Sequence, residues 1–156
     1  MPRRLPILAV ILGVIGLVPF ILCGLGSVSA SFVGAQSSVL LLLAYGAGVL
    51  SFLGGIHWGM ALATDESGRQ RLSLGVLPGF LGWLTLAASF YTGRPTIGIA
   101  LQIALFILAA AAEWRGQLLG GIPAGYAVLR IGVTVAIVAI LTTVVVLRVV
   151  GGHLLL

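Results

Sequence analysis

"SVLLLLAYGAGVLSFLGGIHWGMALA", residues 38–63, runs for 26 residues without an aspartate, glutamate, lysine or arginine. A helix needs about 20 mostly apolar residues to cross a bilayer, so this stretch reads as a membrane span. It also holds the one feature that a plain span does not require, a histidine and a tryptophan directly behind two glycines.

The rest of the chain shares the apolar character. Of 156 residues 60% are hydrophobic and 7% charged, and the mean hydropathy is +1.26. A soluble domain carries roughly 25% charged residues, so a solvated surface cannot be built from this composition. Four more spans flank the first one, at about 5–26, 72–92, 96–114 and 123–150. The expected fold is therefore all-α, a single transmembrane domain over 1–156 built as a bundle of five membrane helices. Pro19 is expected to bend the outer half of the first span. "GSVSASFVGAQSS" (26–38), "TDESGRQR" (64–71), "TGRPT" (92–96) and "RGQLLGGI" (115–122) are the connections. Asp65 and Glu66 in the second of them read as solvated.

The start "MPRRLPILAVILGVIGLVPFILCGLGSVSA" resembles a secretory leader, but its apolar stretch runs from Leu5 to about Leu25. That exceeds the usual h-region of about 7–15 residues, so an uncleaved first helix is expected. Orientation follows from the eight arginines, the only basic residues besides histidine. With a cytoplasmic N-terminus, six of them (Arg3, Arg4, Arg69, Arg71, Arg115 and Arg130) fall inside and two, Arg94 and Arg148, outside. This positive-inside bias places the C-terminus in the periplasm of a bacterial inner membrane. The arginines lie between apolar runs and form no stripe, so the net charge of +5 does not mark a nucleic-acid partner.

Small residues at Ala44, Gly48, Ser51, Gly55 and Gly59 recur every three or four positions in the second span. Such a line lets another helix approach closely, and close packing drives helix association in lipid. It is read first as a helix-packing face. His57 lies on a different face, about two turns from the cytoplasmic end. An ionisable group at that depth is costly unless it is paired. Glu113 and Trp114 close the fourth span on the same side, while Tyr126, Arg130 and Thr134 share one face of the fifth. His57, Glu113, Arg130 and Tyr126 are thus expected to form one polar cluster, with Glu113 and Arg130 as its ion pair. The structural reading of the cluster is a lock between helices, and the functional one is a cytoplasm-facing pocket.

No cofactor or metal site is expected. His153 lies beyond the fifth span, on the opposite side from His57, so the two cannot share a haem iron. The lone Cys23 reads as a small buried hydrophobe, and C-x-x-C-H, P-loop, H-E-x-x-H and G-x-S-x-G patterns are absent.

"GLVPF" (16–20), "LAYGAGVLSFLGGIHWGMALA" (43–63), "VLPGFLGWLTL" (76–86) and "IPAGYAVLRIGVTV" (122–135) together resemble the domain-of-unknown-function 3429 family of small membrane proteins. The Y-G-x-x-x-x-S-F-x-G-G-x-H-W-G segment is the most specific, and P-x-x-Y-x-x-L-R supports it. Glu113 stands where the family pattern has an aspartate, and Gly125 where an aromatic precedes the tyrosine. The resemblance implies a multi-helix membrane protein and assigns no catalytic residue. Three functions are compatible with these readings. The first is a non-enzymatic accessory, scaffold or assembly factor whose partners are membrane lipids and other membrane subunits or a second copy of the chain. The second is a small solute or proton transporter using His57, Glu113 and Arg130. The third is a lipid- or quinone-handling enzyme.

Overall fold

The computed structural model describes residues 6–28, 32–63, 69–115 and 124–154. Among them there are helices and turns but no strand. The order is α1 (Ile7–Ile15), α2 (Val18–Ser27), α3 (Phe32–Ala63), α4 (Arg69–Thr92), α5 (Pro95–Arg115) and α6 (Ala124–Leu154). An all-helical chain is what apolar surroundings demand, because every backbone donor finds its acceptor within its own segment. Among the described residues four segments are long and apolar enough to cross a membrane, Ile7–Ser27, Gly34–Gly59, Pro95–Trp114 and Val128–Gly151, and the span expected at about 72–92, in α4, is not one of them.

The helices outrun the expected spans at several ends. α3 begins at Phe32 rather than near 38, and α6 runs to Leu154 rather than 150. Hydropathy marks where the hydrocarbon ends, whereas a helix continues as long as its backbone bonds close. The "RGQLLGGI" connection beyond Arg115, and Asp65 with Glu66, lie outside the described residues.

Pro19 has the effect expected of it, and the break falls just before it. Proline has no N–H to offer the carbonyl of Ile15, and its ring disfavours helical geometry in the preceding residue. The chain answers with a turn at Gly16–Leu17, where the Leu17 N–H donates to the Val14 carbonyl at 3.0 Å. The first apolar span is therefore two helices. The Gly16 carbonyl at the break accepts the Tyr45 hydroxyl at 2.9 Å. Phe20 packs edge-on to Tyr45 with ring centroids 5.0 Å apart, and to Phe106 at 6.1 Å.

α3 is the central element and packs against α2, α4 and α5, while α6 is held by α5, α2 and α1. Of the α3 span 44% is buried, against 11% of the α1–α2 span. The core joins Phe20, Leu42, Leu50, Ile99, Phe106 and Leu141. Large apolar side chains such as Leu62, Phe90, Leu108 and Val128 point outward, as expected of helices solvated by lipid.

Small residues, not bulky ones, set the closest contact, between α3 and α4. A Cβ on Gly54 would run into the Gly75 carbonyl, and one on Gly75 into the Trp58 ring. Gly79 faces Ser51 and Gly82 faces Ala47 in the same way. The seam is thus Ala47, Ser51, Gly54 and Trp58 against Gly75, Gly79 and Gly82. Trp58 closes it by donating its indole N–H to the Leu72 carbonyl at 3.0 Å. Association in lipid rests on such packing and on interhelical hydrogen bonds, since the tails are as apolar as the side chains.

Candidate functional site

Three helices bring His57, Glu113 and Arg130 to a single carboxylate oxygen. Glu113 lies in the last turn of α5, and its Oε1 accepts from Arg130 Nη2 at 3.0 Å and lies 3.2 Å from His57 Nε2. Arg130 also donates through Nη1 to Thr134 Oγ1, one turn further along α6, at 2.6 Å. All four residues are buried, each 6–7% exposed. Each assignment follows from helix geometry. The i, i+4 spacing puts Thr134 under Arg130, and the last turn of α5 carries Glu113 to the level of the His57 turn of α3.

The electrostatics favour an internally closed cluster. The guanidinium and the carboxylate cancel, and the bond between them is charge-assisted. A neutral imidazole that donates through Nε2 keeps Nδ1 as an acceptor. Beside His57 and Glu113 lies a void of about 10 Å³, bounded by Gly54 and Pro78, at the lower edge of what holds one water. Chemically the arrangement can tie α3, α5 and α6 together, hold a proton on imidazole, or exchange one of its donors for an incoming acceptor.

Tyr126 lies at the edge of the cluster, near enough to feel the charges of Arg130 and Glu113. It is half-buried on α6 and, with Arg130, lines an apolar groove.

Most of the expected packing line lies off the α3–α4 seam. Gly48, Gly55 and Gly59 are exposed, and a Cβ on any of them would meet nothing within 4 Å. Of that line only Ser51 lies in the α3–α4 seam; Ala44 is exposed. The α3–α4 contact lies one face round from that line, at Ala47, Gly54 and Trp58, and no described helix of this chain covers Gly48, Gly55 and Gly59. Glycine-rich text offers two adjacent lines of small residues, and the partner helix selects between them. Trp58 is 44% exposed but donates its N–H to α4.

A second polar layer has no counterpart in the sequence reading. Gln102, fully buried on α5, donates to the Leu43 carbonyl at 2.8 Å and to Thr85 Oγ1 at 3.0 Å, joining α5 to α3 and α4. Its Oε1 faces Gly46, where a Cβ would collide with it. A lone amide within "IALQIALF" (99–106) was the available signal. At the opposite end of the bundle from Glu113, Arg148 donates to the Ser27 carbonyl at 2.7 Å and so caps the end of α2.

Comparison with known proteins adds a family to this geometry. The model of the family described as "Protein of unknown function (DUF3429)" matches residues 5–146. Transmembrane protein 69 of Xenopus tropicalis is 32% identical over 152 residues, which cover 92% of this chain and 53% of that protein. The chain thus spans about half the length of that relative. No solved structure matches it.

Proposed function

This chain belongs to the DUF3429 family, and from that premise we propose that it is a non-enzymatic membrane scaffold or assembly factor that packs against other membrane subunits. The observation that carries this reading is the outward face of α3. Gly48, Gly55 and Gly59 leave room for a backbone there, and no described helix of the chain takes it. Phe52, 68% exposed, stands between them as a knob beside two holes. Close backbone approach at small residues is how helices associate in lipid.

The proposal takes the chain as one domain, with α4 as a fifth span, an N-terminus in the cytoplasm and a C-terminus in the periplasm of a bacterial inner membrane. The distribution of arginines supports that orientation. A second reading is favoured by the cluster itself. Ionisable groups within a membrane often mark ion paths, and a transporter could use His57, Glu113 and Arg130 to pass a proton.

Cysteine cross-linking in native membranes separates the two. Gly55→Cys should form adducts with a protein partner that mass spectrometry identifies, while Leu108→Cys, on a lipid-facing turn of α5, should not. If neither position captures a partner, and vesicles holding the pure protein acidify in a Glu113-dependent way, the transporter reading replaces the scaffold.

A further inference from the structure

We infer that the Glu113 carboxylate is a two-position latch worked by a proton on His57. While the imidazole is charged, Glu113 ties α3 to α5 and α6; once it is neutral, the carboxylate turns to Arg130 alone. The latch rests on neither functional reading above, since it concerns how three helices of this chain are held together.

The cluster is bonded incompletely, and in a specific way. Glu113 Oε1 serves both partners, Arg130 Nη2 at 3.0 Å and His57 Nε2 at 3.2 Å, while Oε2 accepts from no described residue. Arg130 Nε is buried and has no acceptor among the described residues. In a guanidinium, Nε–H and one Nη2–H lie along a single edge, spaced to meet the two oxygens of one carboxylate. One arm of that fork, from Nη2 to Oε1, is already closed. The atoms left over, Nε and Oε2, are the two that the other arm needs. Nη1 takes no part, and its bond to Thr134 Oγ1 at 2.6 Å pins the guanidinium in either position.

Little stands between the two positions. The terminal torsion of a glutamate is broad and lacks the staggered wells of the torsions before it, so the carboxylate swings at small cost. The void of about 10 Å³ bounded by His57, Glu113, Gly54 and Pro78 gives it room. At that size the void also admits one water at most, to take the imidazole donor that Glu113 leaves.

Charge decides which position is held. A neutral imidazole offers Oε1 an ordinary hydrogen bond, whereas closing the fork gives the buried Nε–H the acceptor it lacks. An imidazolium offers a charge-assisted bond, and as a buried cation it needs the carboxylate beside it. The proton therefore draws Glu113 to the shared position, and its loss releases α3 at this layer. No other group around the ring carries that switch. α4 brings nothing ionisable between Leu72 and Phe90, and α5 brings Glu113 itself. α6 brings Arg130 and, at the edge, Tyr126, which feels the charges of both.

The test is a pH titration of the full chain in phosphatidylcholine nanodiscs, followed by magnetic resonance with nitrogen-15 in its histidines and arginines. The chain has two histidines, so His153→Gln assigns the ring signals of His57. The Arg130 Nε–H is the arginine signal that Arg130→Lys removes. The titration runs from about pH 5 to 9, which brackets the ordinary histidine range. As pH rises, the His57 ring should lose its charge, and the Arg130 Nε–H should move downfield in step as it gains an acceptor. His57→Gln supplies a donor that takes up no proton, so in that variant the Arg130 signal should hold one position throughout. The wild-type titration decides by itself if the variant fails to fold. An Arg130 Nε–H that stays put while His57 titrates, or a ring that keeps one charge over the whole range, would overturn the inference. The same displacement in His57→Gln would overturn it too, because pH would then act through another group.

Discussion

Glu113 is the residue on which the buried cluster turns, because one of its oxygens serves two helices at once. Removing it leaves the Arg130 charge buried and uncompensated. Glu113→Ala is therefore expected to cost about 3–5 kcal/mol, read as a large drop in the thermal midpoint in detergent. His57→Gln keeps a donor at similar reach, and should stay within about 1 kcal/mol of wild type in the same measurement. A loss as large as that of Glu113→Ala would show that the imidazole does more than donate one hydrogen bond. The sequence placed His57, Glu113 and Arg130 at one depth because depth is counted residue by residue along each helix. It did not show that Glu113 is the shared acceptor, nor that Tyr126 also lines the groove beside Arg130. Those depend on how each helix is rotated about its axis, which only its neighbours decide. Gln102 was missed for a related reason: a single amide carries no pairing information until Leu43 and Thr85 are opposite it.

At the scale of elements, the α3–α4 seam and the break at Pro19 lend themselves to direct tests. Gly54 and Gly55 are adjacent in sequence and opposite in consequence. Gly54→Ala must push α4 away from its Gly75 carbonyl, an overpacking expected to cost about 1–3 kcal/mol. Gly55→Ala meets nothing and gains helix propensity, so its thermal midpoint should equal or exceed that of the wild type. The reverse ranking would put the seam on the other face. Pro19→Ala restores a donor for the Ile15 carbonyl and allows α1 and α2 to join. Hydrogen exchange should then show protection at residue 19 and slower exchange around Gly16–Leu17. Unchanged exchange there would mean that Tyr45 and the Phe20 contacts, not the proline, hold the break open.

For the whole molecule, the testable statement is topological. The proposed five passes would put the chain ends on opposite sides, and the arginine bias would put the C-terminus outside. A phosphatase reporter fused after Leu156 should be active, and a fluorescent reporter that folds only in the cytoplasm should stay dark there. The opposite pair of results would leave α4 short of a full crossing or reverse the orientation.

Composition alone determined that this chain is a helical membrane protein, because transfer free energy sums over residues and needs no partner. Four of the five expected apolar segments and the bend at Pro19 follow from the same local rules, through segment length and a missing N–H. The tertiary structure decided which line of small residues is buried, that Glu113 is the shared acceptor, and that α1 leaves a groove. In lipid no hydrophobic pattern distinguishes the inside of a bundle from its outside, so facing directions are set only by the fit of backbones and by the few polar groups that find each other.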